Sequence, residues 1–441
     1  MKKSRTSKNK SLNKDNNKPI NQDFDTNVEH INGPINVIRL EGNVHGINKV
    51  IYLFMDVHLP VYDQTECSNI YSKDVNKYFA ENFHALNNSD KKYDFFMEIR
   101  PTEILKLKNK YINRTDYPIG SIHREKYIEE MIRLFTNIFT YDYNKNVVGM
   151  AEHFNNIRLH YLDIRDYLKF HILGFFDRAL GLSNNFLYNG INMQALTVII
   201  NSLLHGKKQL DMTIDILDKS VYKPTKKNPT IKKSYDKIID PEIIANMSNK
   251  MKNIYTHADI KIKMNKLFNN LIVDFKKFST FIGTNIDKII AYQKIIFNSS
   301  SKFIRDDEYD KKISGRGLSP YKLRLITVDI INTCEKIYMD TIDIFADLTD
   351  IYFMRRFLDK DYITNTIVYS GYVHSDNYIR ILLTQFDFKI THVSYSSIMD
   401  LDALDAEIKK RIKTDNNLTD LFNTINTVQC SDLTHFPKNF A

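Results

Sequence analysis

The chain has 441 residues, 43% of them hydrophobic and 26% charged. That is long enough for about three average domains, and it excludes a wholly disordered chain. The formal net charge of +9 fits either plain solubility or contact with a polyanion such as nucleic acid. The basic stretches, the first twenty residues and Lys207–Lys237, interleave no aromatics and match no nucleic-acid-binding motif, which favours solubility over weak polyanion binding.

Residues 1–33 are polar and rich in Lys and Asn, so a disordered basic tail is expected there. Asn36–Leu40 reads as a short strand and Glu41–Gly46 as a turn. The apolar run Val50–Met55 ends abruptly in Asp56-Val57-His58 and reads as a strand buried on both faces. Ser72 is placed to cap a helix carrying Val75, Tyr78, Phe79, Phe83 and Leu86 at helical spacing. Tyr93–Glu98 is a second strand, so strand, helix and strand make a βαβ unit with a parallel pair. A helix over Ile122–Phe139 and a strand over Ile157–Asp163 follow, then Ile164-Arg165-Asp166.

From 167 to 362 the periodicity is helical and no strand is evident. The expectation is a helical insertion with a Lys-rich loop near 207–237. The sheet resumes at Thr366–His374, followed by a helix over Tyr378–Phe386 and a strand over Phe388–Val393. Residues 397–441 read as a helical tail. The fold class is therefore α/β: a mainly parallel sheet with flanking helices, built from 34–166 and 363–396 and interrupted by a large α-helical insertion.

Cys67, Cys334 and Cys430 are widely spaced. They give neither a disulfide framework nor a CxxC metal pair, which points to a reducing compartment. No apolar run approaches the roughly 18 residues of a membrane span. The basic N-terminus lacks the apolar core of a secretory signal, so secretion is not expected.

Four strand ends carry chemistry. Asp56 and His58, Glu98, Asp163 and Arg165, and His374 all fall at the carboxyl ends of predicted strands, where ligands sit in open α/β sheets. Asp56 and His58 alternate on an extended chain and point to the same side. Asp56, His58, Asp163 and His374 are suitable ligands for a divalent metal such as Mn²⁺ or Zn²⁺, which would activate water. His58, Glu98, Arg165 and His374 are the candidate catalytic groups. Arg165 would pair with an anionic intermediate or orient a carboxylate. A metal-free version uses a histidine as base and a carboxylate to orient it. Each residue also has a plainer role: Asp56 and Glu98 as helix caps, Asp163 with Arg165 as a structural ion pair, Gly371–His374 as a turn before a helix. Singly the plainer role is favoured; the recurrence across four strand ends favours a site. Gly42–Gly46 and Ser314–Gly317 lack the pattern of a phosphate loop.

The order xDxH, E, DxR and GxxH resembles a superfamily of α/β hydrolase-type domains that includes the erythromycin esterases, the ChaN haem-iron proteins and the TraB/Tiki group. Their first motif is usually GExH; Met55-Asp56-Val57-His58 stands in its place. Their late motif is matched by Gly371-Tyr372-Val373-His374. The resemblance spans about half the chain in two blocks and implies a hydrolase acting on an unknown small or peptide substrate. The DxH motif is also similar to the opening of metallophosphoesterases, but GDxxDRG and GNHE are missing and only one of the two late histidines is present. The composition resembles uncharacterised proteins of giant DNA viruses of the mimivirus kind. That implies host cytoplasm or virion, and a competing reading as a non-catalytic structural or interaction protein with a decayed enzyme fold.

Overall fold

Two consecutive positive-φ residues, His45 (54°) and Gly46 (78°), make the tight turn that folds the first two long strands onto each other. β2 (Asn36–Val44) and β3 (Ile47–Asp56) pair antiparallel from Asn36↔Met55 to Val44↔Ile47. In the computed structural model the described residues are 29–99, 126–139, 150–165, 170–220, 241–303, 318–414, 417–423 and 428–440. The larger sheet has seven strands in the order β6-β7-β5-β8-β3-β2-β9. Here β5 is Tyr93–Met97, β6 Met150–Ala151, β7 Phe154–Tyr161, β8 Asn365–Gly371 and β9 Lys389–Val393.

The four central strands β7, β5, β8 and β3 run parallel. The outer strands β6, β2 and β9 pair antiparallel. The sheet is therefore partly parallel rather than mainly parallel, because a two-residue turn can only return the chain antiparallel. The expected pairing of β3 with β5 is also corrected. β8 lies between them, with Asn365 in register with both Val50 and Tyr93.

One face of the sheet is covered by α1 (Val75–Ala85) and α2 (Tyr127–Ile138). Phe54, Phe79, Phe83, Phe95, Phe135 and Phe440 fill that side. On the other face, Leu53, Met55, Phe96 and Val368 share a continuous core with the helices that follow β7. These are α3 (Phe170–Asn184), α4 (Met193–Lys219), α5 (Pro241–Asn253), α6 (Ala258–Phe303) and α7 (Pro320–Asp359). α8 (Tyr372–Gln385) completes this layer. The stretch expected as an insertion thus has no separate core; it is the layer that removes this sheet face from water. Lys49 on β3 ties it down. Its buried ammonium donates to the carbonyls of Phe357 (3.0 Å), Lys360 (2.9 Å) and Ile363 (2.6 Å), capping the end of α7.

A second, three-stranded sheet joins the two ends of the described chain. β1 (His30–Asn32) pairs parallel with β4 (Lys73–Asp74) and antiparallel with β10 (Cys430–Asp432). Ile31 is fully buried, so the boundary expected at residue 33 falls after the first strand; residues 1–28 lie outside the described residues. The stretch 397–441 is helical over α9 (Leu401–Lys413), but it ends in β10 and a buried Phe440. Helix α1 starts after Asp74, while the Ser72 hydroxyl accepts a hydrogen bond from Asn32. Lys207–Lys219 belongs to α4, where Lys207 and Lys219 pair with Asp211 and Asp215; residues 221–240 lie outside the described residues.

Cys67 and Cys430 form a disulfide across a sequence separation of 363. This corrects the expectation that the cysteines make no bridge, and it removes the cysteine argument for a reducing compartment. Spacing along the chain does not limit a contact that the fold creates. Breaking the bridge by Cys67→Ser should lower stability by about 2–4 kcal/mol, read as a shift in denaturation midpoint. An unchanged midpoint would mean that β10 and Phe440 hold the C-terminal segment without it. Among the described residues no helix is long and apolar enough to cross a membrane.

Candidate functional site

The carboxyl ends of β3, β5, β7 and β8 bring six side chains together. Backbone bonds carry the ladder slightly past the strands: Glu98 N donates to Tyr369 O, and Asp163 N to Ile99 O. Glu98, Asp163 and Arg165 therefore leave the sheet where β8 ends. His58 follows β3 in a left-handed conformation (φ 58°), with its backbone N–H donating to Asp56 Oδ1 at 3.2 Å. This short turn swings the imidazole back over the sheet edge.

Glu98 is the hub. Its Oε2 faces His58 Nε2 at 3.1 Å and accepts from Gly371 N at 2.7 Å. Its Oε1 accepts from Arg165 at 2.6 Å and faces His374 Nε2 at 3.2 Å. Asp56 Oδ2 holds His58 Nδ1 at 2.9 Å. Asp163 Oδ1 accepts from Arg165 Nε at 2.7 Å. Gly371 leaves room for this packing: a Cβ there would lie 3.2 Å from His58 Nε2, a tight contact, and 3.4 Å from Glu98 Oε2. The structure thus brings together every one of Asp56, His58, Glu98, Asp163, Arg165 and His374.

The charges follow from these contacts. Burial by itself would lower the His58 pKa, but hydrogen bonds to Asp56 and Glu98 outweigh it and raise the pKa to about 10. His374 is likewise raised well above its ordinary value: burial opposes this, and Asp350 and Glu98 overcome it. Glu98 is held well below the usual carboxylate range, because His374 and His58 outweigh its own burial. At neutral pH the centre is a carboxylate flanked by two imidazoliums and a guanidinium. The carboxylates are shut in: the Asp56 side chain is 0% exposed and Glu98 6%, whereas His58 is 31% exposed.

The expected metal set does not converge. Both nitrogens of His58 and of His374 lie against carboxylates, and Asp163 is spent on Arg165. Among the described residues no group of three or more His, Cys, Asp and Glu side chains is arranged to hold a metal ion. The donors of Asp56, His58, Asp163 and His374 do not fit Mn²⁺ or Zn²⁺ in this arrangement, and a cation would also meet the Arg165 guanidinium. The metallophosphoesterase likeness loses its footing for the same reason.

Sequence reasoning missed the partner of His374. Asp350 on α7 faces His374 Nδ1 at 2.5 Å. Asn377 donates to Asp350 Oδ2 at 2.7 Å and to Asp347 Oδ1 at 2.9 Å. The available signal was the spacing of Asp343, Asp347 and Asp350, which sets three acids on one face of a helix otherwise rich in Ile, Phe and Leu.

The description Family of unknown function (DUF5847) matches residues 29–441. Three uncharacterized proteins of Acanthamoeba polyphaga mimivirus are similar over nearly their whole length. One is 43% identical over 424 residues, covering 96% of this chain and 99% of the relative. Two more are 34% identical, covering 95% and 96% of this chain and 99% of each relative. The compositional likeness to giant-virus proteins is thus matched by relatives. The likeness to erythromycin esterases and ChaN proteins is not supported by these matches and rests on the short motifs alone. No solved structure matches. With the family description and near full-length relatives in agreement, the chain belongs to the Family of unknown function (DUF5847).

Proposed function

We propose that the cluster around Glu98 is a metal-free acid–base site of a hydrolase-like protein. The observation that carries this reading is the exposure pattern: His58 is the open end of a network whose carboxylates are buried. His58, held as an imidazolium by Asp56 and Glu98, is then the group presented to substrate, as a cation and general acid and not as a resting base. Asp56 orients its ring, and Glu98 shares the proton on Nε2. His374 and His58 keep Glu98 ionised, and Arg165 pairs with it. The groups nearest solvent, His58 and Arg165, are cations, which is the sign needed to stabilise an oxygen that gains negative charge during attack on an ester. Strongly perturbed titratable groups clustered at a sheet edge support a functional rather than a purely structural role. So does cost: apolar residues of similar volume would often hold this edge at least as well as buried ions. The ester class comes from the motif likeness.

A second reading has its own support. Glu98 and Asp163 are both paired with Arg165, as in a retained fold whose site no longer turns over, so a non-catalytic structural or interaction protein is the alternative. A panel of carboxylic and phosphoric esters assayed with wild type and His58→Ala separates the two. The acid–base reading expects turnover by the wild type and a drop of roughly 10²–10⁴-fold in the variant. Absence of turnover by the wild type, or equal rates for the two, sinks it.

A further inference from the structure

His374 is held from the helical layer. Its Nδ1 meets Asp350, and its Nε2 meets Glu98 from the sheet edge. Asp350 is itself 1% exposed and sits on α7. Its second oxygen is gripped by Asn377, one turn along α8 from His374. An imidazole can face two carboxylates through both nitrogens only when both carry protons; a neutral ring would turn a lone pair against one of them. The contact with Glu98 therefore depends on what Asp350 does on the far side of the ring. The other titratable and charged groups around this ring are Asp347 on α7, which acts on it only through space, Arg165 behind Glu98, and Tyr378 from its own helix.

We propose that Asp350, gripped by Asn377, is a positioning residue of the site: it fixes the His374 ring with Nε2 directed at Glu98. The helical layer is then part of the site and not only a cover for the sheet. This rests on the acid–base reading for its functional meaning, but the geometry can be tested without it. Asp350 does not touch substrate. It acts through His374 on Glu98, and through Glu98 on His58. Asp347 shares Asn377 but does not reach the ring, so its role is confined to holding Asn377.

The test uses the full chain with ¹⁵N-labelled histidine rings, observed at pH 7, with His374 assigned from a His374→Asn variant. The wild type should show protons on both ring nitrogens of His374, with the Nδ1 proton far downfield because of the short bond to Asp350. Asp350→Asn keeps the shape and removes the charge. It should lose the downfield signal and leave His374 with a single ring proton, while Asp347→Asn should keep both. Asn377→Leu leaves the Asp350 charge in place and should shift or broaden the Nδ1 signal, which serves if Asp350→Asn fails to fold. Wild-type signals retained in Asp350→Asn, or an unchanged signal in Asn377→Leu, overturn the proposal. Where an ester is turned over, Asp350→Asn should lower kcat about tenfold or more with little change in KM. The expected spectra together with a wild type inactive on every ester would sink the acid–base reading and leave the positioning role standing.

Discussion

Glu98→Gln should destabilise the protein by about 3–5 kcal/mol, because it removes the shared counter-ion of three cations in a dry environment. The amide keeps the shape of the carboxylate, so the effect is one of charge and donor direction rather than of volume. Its NH₂ group would also be forced towards His58, Arg165 or Gly371 N, all of which are donors in the native network. Arg165→Met is the useful companion, since it removes one cation and leaves Glu98 with two. If Glu98 is the hub, the double variant should be more stable than the sum of the single effects implies, as expected for directly coupled residues. Denaturant unfolding of the four proteins measures this. A loss below about 1 kcal/mol for Glu98→Gln would show that the network is loosely held and open to water.

Stability should fall steeply on the alkaline side of neutrality. His58 and His374 both hold their protons more tightly in the folded chain than in the unfolded one. For raised groups the contribution is fully present below the ordinary histidine value of 6.5 and is lost as pH rises towards the folded values. Two such groups give a slope of roughly −2.7 kcal/mol per pH unit between about pH 7 and 8. Below 6.5 two buried groups oppose each other. His160, paired with Asp94 at 2.6 Å, is lowered to about 4, first by burial and then by Arg356, so its contribution is lost as pH falls from 6.5. Asp347 is raised to about 7, first by burial and then by Asp350, so its contribution is lost as pH rises from 3.8. The slopes oppose each other, and a plateau is expected from about pH 4.5 to 5.5, above which the loss from His58 and His374 begins. Unfolding free energies at pH 5.5, 6.5 and 8 test this. A flat profile up to pH 8 would mean that neither His58 nor His374 is held as an imidazolium.

Much of the site was legible because its signals are local. An apolar run that stops at Asp56-Val57-His58 states both that a strand is buried and that its end is polar, and the same signature recurs at Glu98, Asp163 and His374. The GxxH glycine was legible as a motif, though its reason is steric and appears only when His58 and Glu98 are seen beside Gly371. The metal reading went astray for an equally physical reason. Residue type gives donor chemistry but not direction, and here each donor is turned towards a neighbouring side chain.

The sequence by itself determined the long central strands β3, β5, β7 and β8 and the placing of Asp56, His58, Glu98, Asp163 and Arg165 at their ends, because the abrupt end of an apolar run is a property of the local chain. The short strands β1, β4, β6 and β10 carry no such signal, and His374 falls in the first turn of α8 rather than on β8. Only the tertiary structure decided that β8 slots between β3 and β5, that Cys67 meets Cys430, and that the helices after β7 form a layer with the sheet rather than a body of their own. It also decided that Asp350 serves His374. These are contacts between segments far apart in the chain. They are selected by which apolar faces can cover one another and which buried charges find partners, and no local pattern records that choice.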